Sequence, residues 1–402
     1  MYYTVQTYPE FRLALRRVTK KLAPTWLRPF IIKSYLSARG VLGQVLNLGD
    51  TLKLEFTYHG QEPRVYFPVG YARSHNVWRT YATHPPLQYS PYRRADLCHW
   101  INRIPDNLEK PCIAECEHIL ALAGNITNWQ TGLQNTAHIN HLVEQEKCCY
   151  LFTYSAGLVA HSRKYLHPDL WSKFGYLYPV FPAQPEYEHP AEQPFRILVI
   201  ASRFSDKGVP EAVEAFRVLR QRHGRNVEMS IVTQAVPRGY QLPEGVTLHD
   251  VPRMSETMKR RMFQSSHVLL LPCYSDTVVP IVEACAFGVP VITTRIHHGD
   301  EFVKDGETGY LIKSPAFSYS DQYGLRWKYW EDFVADIDRM RANGELQSVV
   351  EQIIDRVELL IPDLGLQTKM RTTARQLHAS QFSPEARNRQ LIEIYRNAIG
   401  KT

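Results

Sequence analysis

The sequence predicts an α/β protein with two Rossmann-like domains, each built on a parallel sheet, that face one another across a cleft. The chain has 402 residues, which exceeds the size at which a single hydrophobic core usually divides. Strand-like and helix-like segments alternate from Phe195 onward, as in repeated β-α-β units. Five prolines in residues 179–194 disfavour regular structure, so this stretch is predicted to be the interdomain linker.

The N-terminal domain is predicted to span residues 1–185 and to contain short strands. The apolar runs that predict them are Val41–Leu48, Leu52–Tyr58, Val65–Val69, Leu97–Ile101, Cys112–Glu115 and Tyr150–Tyr154. Ser155 suits the N-cap of a helix that continues to Leu166, because its hydroxyl can accept from the free amides of a first helical turn.

Residues 8–40 form a basic amphipathic segment. Apolar side chains recur at steps of three and four from Phe11 to Leu22, and residues 1–40 hold eight basic residues against one acidic residue, Glu10. Such a stripe is typical either of a surface helix packed on its own domain or of a helix that lies on an anionic membrane. Both interpretations stay open from the sequence.

Charge and cysteine usage restrict the class of protein. Of the net charge of +7, residues 1–190 contribute most, with 20 Lys and Arg against 14 Asp and Glu. Seven cysteines and an N-terminus without an apolar signal sequence argue against a disulfide framework, and the cysteine spacings predict no metal site. Because no apolar run approaches about 18 residues, the protein is predicted to be cytoplasmic, or peripheral on the inner face of the membrane.

The C-terminal domain is predicted to span residues 195–375. Its expected strands include Ile197–Ala201, Val227–Val232, Val246–Val251, Val268–Leu271 and Val289–Thr293. Ligands of open α/β sheets bind beyond the carboxyl ends of the strands. This rule selects the loops Ser202–Gly208, Thr233–Val236, Val251–Pro252, Pro272–Val279 and Thr294–Glu301.

The first of these loops, RFSDKG, leaves a buried strand and opens a helix. A helix N-terminus offers free amides and a positive dipole end, and Arg203 and Lys207 add two cations. Together these groups could hold a diphosphate and stabilise it as it departs. The alternative is that both side chains are exposed charges at a strand end.

Two further motifs follow. Glu283, in PIVEACAFGVPVITT, is predicted at the start of a helix, where its carboxylate could accept hydrogen bonds from both hydroxyls of a ribose. The alternative is a first-turn glutamate that complements the helix dipole. In GDEFVKDGETGYLI, Gly299 lets backbone amides approach a phosphate or sugar closely.

In this order and spacing the three motifs resemble glycosyltransferase family 4, whose members are retaining enzymes of the GT-B fold; the resemblance covers about residues 195–315. It implies a hexosyl-type glycosyltransferase that moves a sugar from a nucleoside-diphosphate sugar to a glycan or lipid-linked acceptor in cell-envelope polysaccharide or glycoconjugate synthesis. It also implies that residues 376–402 form a helix that crosses back to the N-domain. A nucleic-acid partner is not predicted, since a diphosphate loop in the second half argues against it.

The resemblance further implies roles for individual residues. Arg203 and Lys207 would contact the donor diphosphate as catalytic groups, and Glu283 would hold the nucleotide ribose. His118, after a predicted strand of the N-domain, would be a third catalytic residue that bonds the donor sugar across the cleft; the alternative is a structural histidine. No cofactor or metal is implied. The remaining predicted donor-binding residues are Val251, Ser275, Asp276, Thr277, Gly299, Asp300 and Glu301, with the backbone near His298.

One position departs from the family pattern. The family carries a second carboxylate eight positions before the ribose glutamate, and here that position is Ser275, with Asp276 as the adjacent acid. This departure motivates a second hypothesis, in which the protein is a catalytically weakened subunit that binds a nucleotide sugar as a non-catalytic partner.

Overall fold

The structure is a computed structural model, and it describes residues 53–56, 65–68, 95–123, 129–187, 194–234, 236–250, 255–275, 277–296, 299–317 and 330–400. The predictions for the basic segment 8–40, the strand at 41–48, Val251, Asp276 and His298 lie outside the described residues. Within them the chain forms two six-stranded sheets, with helices between and around the strands.

The first sheet follows chain order from one edge to the other. Its strands are β1 (Lys53–Phe56), β2 (Val65–Pro68), β3 (Leu97–Ile101), β4 (Cys112–Glu115), β5 (Cys148–Thr153) and β6 (Phe174–Tyr176). From β2 to β6 all pairs are parallel, which confirms that part of the prediction, whereas β1 pairs antiparallel with β2. Only residues 57–64 separate these two strands, too few for the crossover of about a dozen residues that a parallel pair requires.

Helices and short 3-10 turns connect the strands of this half. The helices are α1 (Trp129–Gln134), α2 (Thr136–Glu144) and α3 (Ala156–Ser162). Ser155 is the N-cap of α3, as predicted, and its side chain accepts from the Leu158 amide at 3.2 Å. The helix is shorter than predicted, because the chain tightens into a 3-10 turn over Arg163–Tyr165.

The second sheet has the strand order β12-β11-β10-β7-β8-β9, with all pairs parallel. Its strands are β7 (Phe195–Ala201), β8 (Val227–Thr233), β9 (Val246–Asp250), β10 (Val268–Leu271), β11 (Val291–Thr294) and β12 (Gly309–Ile312). The chain runs outward from β7 to one edge and then resumes on its other side at β10. This reversal is the position at which open α/β sheets bind their ligands.

Helices cover both faces of the second sheet, so its central strands are apolar on both sides. The helices are α4 (Val209–His223), α5 (Glu256–Ser265), α6 (Val279–Phe287), α7 (Gly299–Phe302), α8 (Trp330–Ala342), α9 (Gln347–Leu360), α10 (Leu364–Leu377) and α11 (Pro384–Gly400). One apolar cluster joins the sheet to α4, α8 and α9, and another joins it to α5, α6 and α10. Among the described helices, none has the length and apolar content needed to cross a bilayer.

The last helix packs against the first sheet rather than the second. Leu391 and Tyr395 of α11 lie in one buried cluster with Leu97 and Phe152 of the first sheet. Arg387 donates to the Glu115 carboxylate at 2.8 Å, and both side chains are at most 1% exposed. Helix α11 therefore completes the apolar core on the first sheet, although the second sheet lies between them in the chain.

Candidate functional site

The loops after β7 and β10 meet at the point where the strand order reverses. Gly208 has a φ of 69°, and a Cβ placed on it would lie 2.0 Å from the Pro272 carbonyl oxygen. The Tyr274 amide donates to the Asp206 carbonyl oxygen at 3.0 Å. The two loops are therefore held together by their backbones, and only glycine fits at position 208.

Substituting Gly208 with Ala is expected to lower the free energy of unfolding by at least about 3 kcal/mol, because a positive φ and a backbone overlap are both penalised. The measurement is denaturant unfolding. Gly344→Ala is the matched control, since Gly344 has a φ of 75° but has no atom within 4 Å of an added Cβ. Equal losses for the two variants would contradict the close approach of the loops.

Lys207 points from the first loop into the second. Its Nζ donates to Thr277 Oγ1 at 2.6 Å and to the Ser275 carbonyl oxygen at 3.3 Å. The residue is only 5% exposed and precedes α4 by one glycine. These hydrogen bonds fix the ammonium at the reversal point of the sheet, between the two loops.

Arg203 is held by an acid that the sequence reasoning did not select. Its Nε and Nη2 donate to the Asp206 carboxylate at 2.7–3.0 Å, and Nη2 also reaches Ser275 Oγ at 3.3 Å. Ser275 Oγ donates to Asp206 Oδ2 at 2.9 Å. Asp206 is buried while the Arg203 side chain is 46% exposed, so the acid orients a guanidinium that solvent can reach. The one available signal was the i,i+3 spacing of the two residues.

Arg341 of α8 holds the same loop by a second set of hydrogen bonds. Arg341 donates from Nη1 to Ser205 Oγ at 2.9 Å and from Nη2 to the Ser205 carbonyl oxygen at 3.1 Å. Its Nε bonds the buried Glu211 carboxylate at 2.7 Å. Because Ser205 lies between Arg203 and Lys207, these hydrogen bonds restrict the loop that carries both cations.

Glu283 lies deeper in its helix than predicted. It is the fifth residue of α6, which begins at Val279 with Pro280 in its first turn, so both the placement at the helix start and the first-turn dipole interpretation were wrong. The residue is 1% exposed, and its carboxylate pairs with Lys259 Nζ of α5 at 2.5 Å. A carboxylate at this depth requires a partner of this kind. Lys259 was not selected from the sequence.

A cavity opens at the carboxyl ends of β10 and β11. Thr277 and Gly299, two of the predicted donor-binding residues, line it together with Cys273, Ile281, Thr293, Thr294, Ile296 and Phe302. Asp300 instead pairs with Arg295 at 2.8 Å and is largely exposed. The N-terminus of α7 and the loop after β10 therefore line the same cavity.

His118 follows β4 in the first half and is buried. Its Nε2 lies 2.6 Å from Nδ1 of His161, and its Nδ1 accepts from the Leu120 amide at 3.1 Å. The Leu120 contact assigns the proton of a neutral His118 to Nε2, which then donates to His161. His161, on α3, is a partner that the sequence did not indicate.

Glu301 joins the two halves of the chain. Its carboxylate oxygens accept from the amides of Ala156 and Gly157 at 2.8 Å each and from the Tyr178 hydroxyl at 3.1 Å. Burial, with the nearby Glu301 charge, raises the pKa of the Tyr178 phenol, so the hydroxyl stays protonated and donates.

Comparison with known proteins shows what the second half of the chain resembles. Residues 195–319 match the family model described as "Glycosyl transferases group 1". A D-inositol 3-phosphate glycosyltransferase of Mycobacterium leprae is 27% identical over 151 residues, which make up 37% of this chain and 28% of that protein. The match thus spans less than a third of the length of this curated relative.

Solved structures extend the likeness to the fold of both halves. A glycosyltransferase from Rickettsia africae has a TM-score of 0.54 at 15% identity, covering 77% of this chain and 78% of that one. The Anabaena protein HepE, solved in complex with UDP and glucose, has a TM-score of 0.50 at 13% identity, covering 74% and 77%. The chain has the GT-B fold, and its residues 195–319 are similar to the group 1 glycosyl transferases.

Proposed function

We propose that this protein transfers a hexosyl group from a nucleoside-diphosphate sugar to a glycan or lipid-linked acceptor, with retention and without a metal, in the synthesis of cell-envelope polysaccharide or glycoconjugate. The observation that carries the proposal is the pair of cations at the reversal point of the second sheet. Lys207 and Arg203 stand at the N-terminus of α4, where a diphosphate meets the positive end of the helix dipole as well as both side chains. The free amides expected there are not observed, because Gly208 and Val209 donate to the Ser205 and Phe204 carbonyl oxygens and residue 210 is proline.

In the proposed reaction the acceptor attacks from the face that the diphosphate leaves, and a donor phosphate oxygen takes the acceptor proton. The protein then has to position both substrates and stabilise the charge that develops on the diphosphate. Lys207 and Arg203 supply this stabilisation, since each is fixed by its hydrogen bonds before substrate arrives. The HepE complex with UDP and glucose supports a donor of this class.

The remaining donor contacts are assigned by position. Glu283, oriented by Lys259, is proposed to hold the ribose, and the loop segments at Thr277 and Gly299 to contact the sugar side of the donor. His118 is proposed to face the donor sugar from the first half. A lipid-linked acceptor would lie at the inner face of the membrane, where the basic segment 8–40 is proposed to bind anionic lipid.

The test is a thermal-shift screen of nucleotide sugars, followed by transfer assays with the donor that stabilises the protein. A donor at 100 times its Kd should add about 2.7 kcal/mol. Arg203→Ala is expected to lower kcat/KM for that donor about 100-fold, as loss of a group that stabilises transition-state charge does. Arg196→Ala is the control, because Arg196 lies at the opposite end of β7, the strand that Arg203 follows, and pairs with Glu228.

A second function is favoured by one observation. The Arg203 guanidinium is occupied by Asp206, and Ser275 stands where the family carries a carboxylate. A subunit that binds a nucleotide sugar without transferring it would need neither an additional carboxylate nor an Arg203 side chain without its own acid partner. A wild-type protein that binds UDP or a UDP-sugar but transfers no sugar to any acceptor extract would establish this function and contradict the first.

A further inference from the structure

The Glu301 carboxylate is contributed by the second half of the chain, but its hydrogen bonds go to groups that precede the second sheet. Ala156 and Gly157 belong to α3, and Tyr178 follows β6 in the segment that leads to β7. The Tyr178 ring also packs edge-on against Phe302 and Phe382 at centroid distances of 5.3 and 5.4 Å. This carboxylate therefore lies where the two halves meet.

Glu301 completes the first turn of α3. A helix leaves its first four amides without partners inside the helix. The Ser155 hydroxyl accepts from the Leu158 amide, and the Ser155 carbonyl oxygen accepts from Val159 as the first bond of the helix itself. The amides of Ala156 and Gly157, which have no acceptor inside the helix, donate to Glu301. A negative charge at this end of a helix is also favoured by the helix dipole.

Both ends of this contact adjoin the proposed active site. On one side, Glu301 lies in α7, whose first residue, Gly299, lines the cavity at the ends of β10 and β11. On the other side, α3 carries His161, which bonds His118 at 2.6 Å. The spacing from Gly157 to His161 is one helical turn, so the carboxylate and the histidine pair are held by the same short helix.

We infer that Glu301 is a positioning residue, which fixes α3 and its histidine pair against the cavity at the ends of β10 and β11. Its carboxylate is not itself a contact to the donor. The inference rests on the proposed function for its kinetic consequence. The hydrogen bonds that Glu301 accepts from the first half do not depend on that function, and they can be measured without any substrate.

The kinetic test compares Glu301→Gln and Glu301→Ala with Glu307→Gln, a control at an exposed glutamate in the turn that follows α7. Glu301→Ala is expected to lower kcat at least about 10-fold while the donor KM and the Kd for UDP change by less than about threefold. Glu301→Gln, which keeps one acceptor oxygen, should recover part of the rate. A tenfold rise in the Kd for UDP with little change in kcat would assign Glu301 to the donor and overturn the inference.

Hydrogen exchange provides the readout that needs no activity. In Glu301→Ala the amides of Ala156 and Gly157 are expected to exchange at least about 10-fold faster, whereas those of Leu158 and Val159, bonded to Ser155, keep more of their protection. If wild type transfers no sugar, the proposed function fails while this result still decides the contact. Unchanged exchange at both amides in Glu301→Ala would overturn the inference whatever the activity.

Discussion

Replacing Lys207 with Met is expected to lower kcat/KM for the donor by at least about 100-fold, the scale at which a fixed group that stabilises transition-state charge contributes. Lys207 lies at the reversal point of the strand order, and its ammonium is fixed by Thr277 and by the Ser275 carbonyl oxygen. Met preserves most of the volume of the side chain and removes only the charge and its hydrogen bonds. Initial rates over a range of donor concentrations provide the measurement.

The matched control for this substitution is Lys369→Met, which removes an exposed charge from α10. Circular dichroism and a thermal melt of both variants establish that the fold is retained. A Lys207→Met enzyme with at least a third of the wild-type kcat/KM would contradict the role given to this cation. The diphosphate would then have to be stabilised elsewhere.

Replacing Arg387 with Met is expected to lower the free energy of unfolding by about 3–5 kcal/mol, because removing one partner of a buried ion pair leaves the other charge without compensation. Both Arg387 and Glu115 are at most 1% exposed, so water does not screen the charge that remains. In the intact protein, burial and the Arg387 charge lower the pKa of the neighbouring His99 well below its usual value, so Arg387 is the cation that compensates Glu115.

Denaturant unfolding measures this loss, with Arg389→Met as the control at an exposed arginine of the same helix. The double variant Glu115→Gln and Arg387→Met removes both charges and should recover at least about half of the loss, as expected for coupled partners. Additive losses in the double variant would show that the ion pair is not the source of the effect.

The strands and the loop that carries Arg203 and Lys207 could be predicted because their signals are local. The runs at Leu97–Ile101, Cys112–Glu115 and Val268–Leu271 are observed with the predicted boundaries. Each is a short, mostly apolar run that begins directly after a polar residue or proline, so periodicity and turn residues suffice to mark it. The position of the loops then follows from the rule for parallel sheets.

The partners of the site residues could not be predicted in the same way. Lys259 bonds Glu283 from 24 residues away, and Arg341 bonds Ser205 from 136 residues away. Such pairs depend on how helices pack on the sheet, which a single sequence does not encode in any local pattern. The error at Glu283 has a different cause, since Pro280 was a signal for a helix start that the apolar pattern from Ile281 obscured.

The packing of α11 on the first sheet also has a consequence for the order of folding during synthesis. Leu97, Ile113 and Phe152 are made early, but the helix that covers them leaves the ribosome only after the whole second sheet. The second sheet can therefore assemble while an apolar face of the first is still open to water. Only release of residues 384–400 from the ribosome closes that face, so a chain that stalls earlier exposes an apolar surface that promotes aggregation.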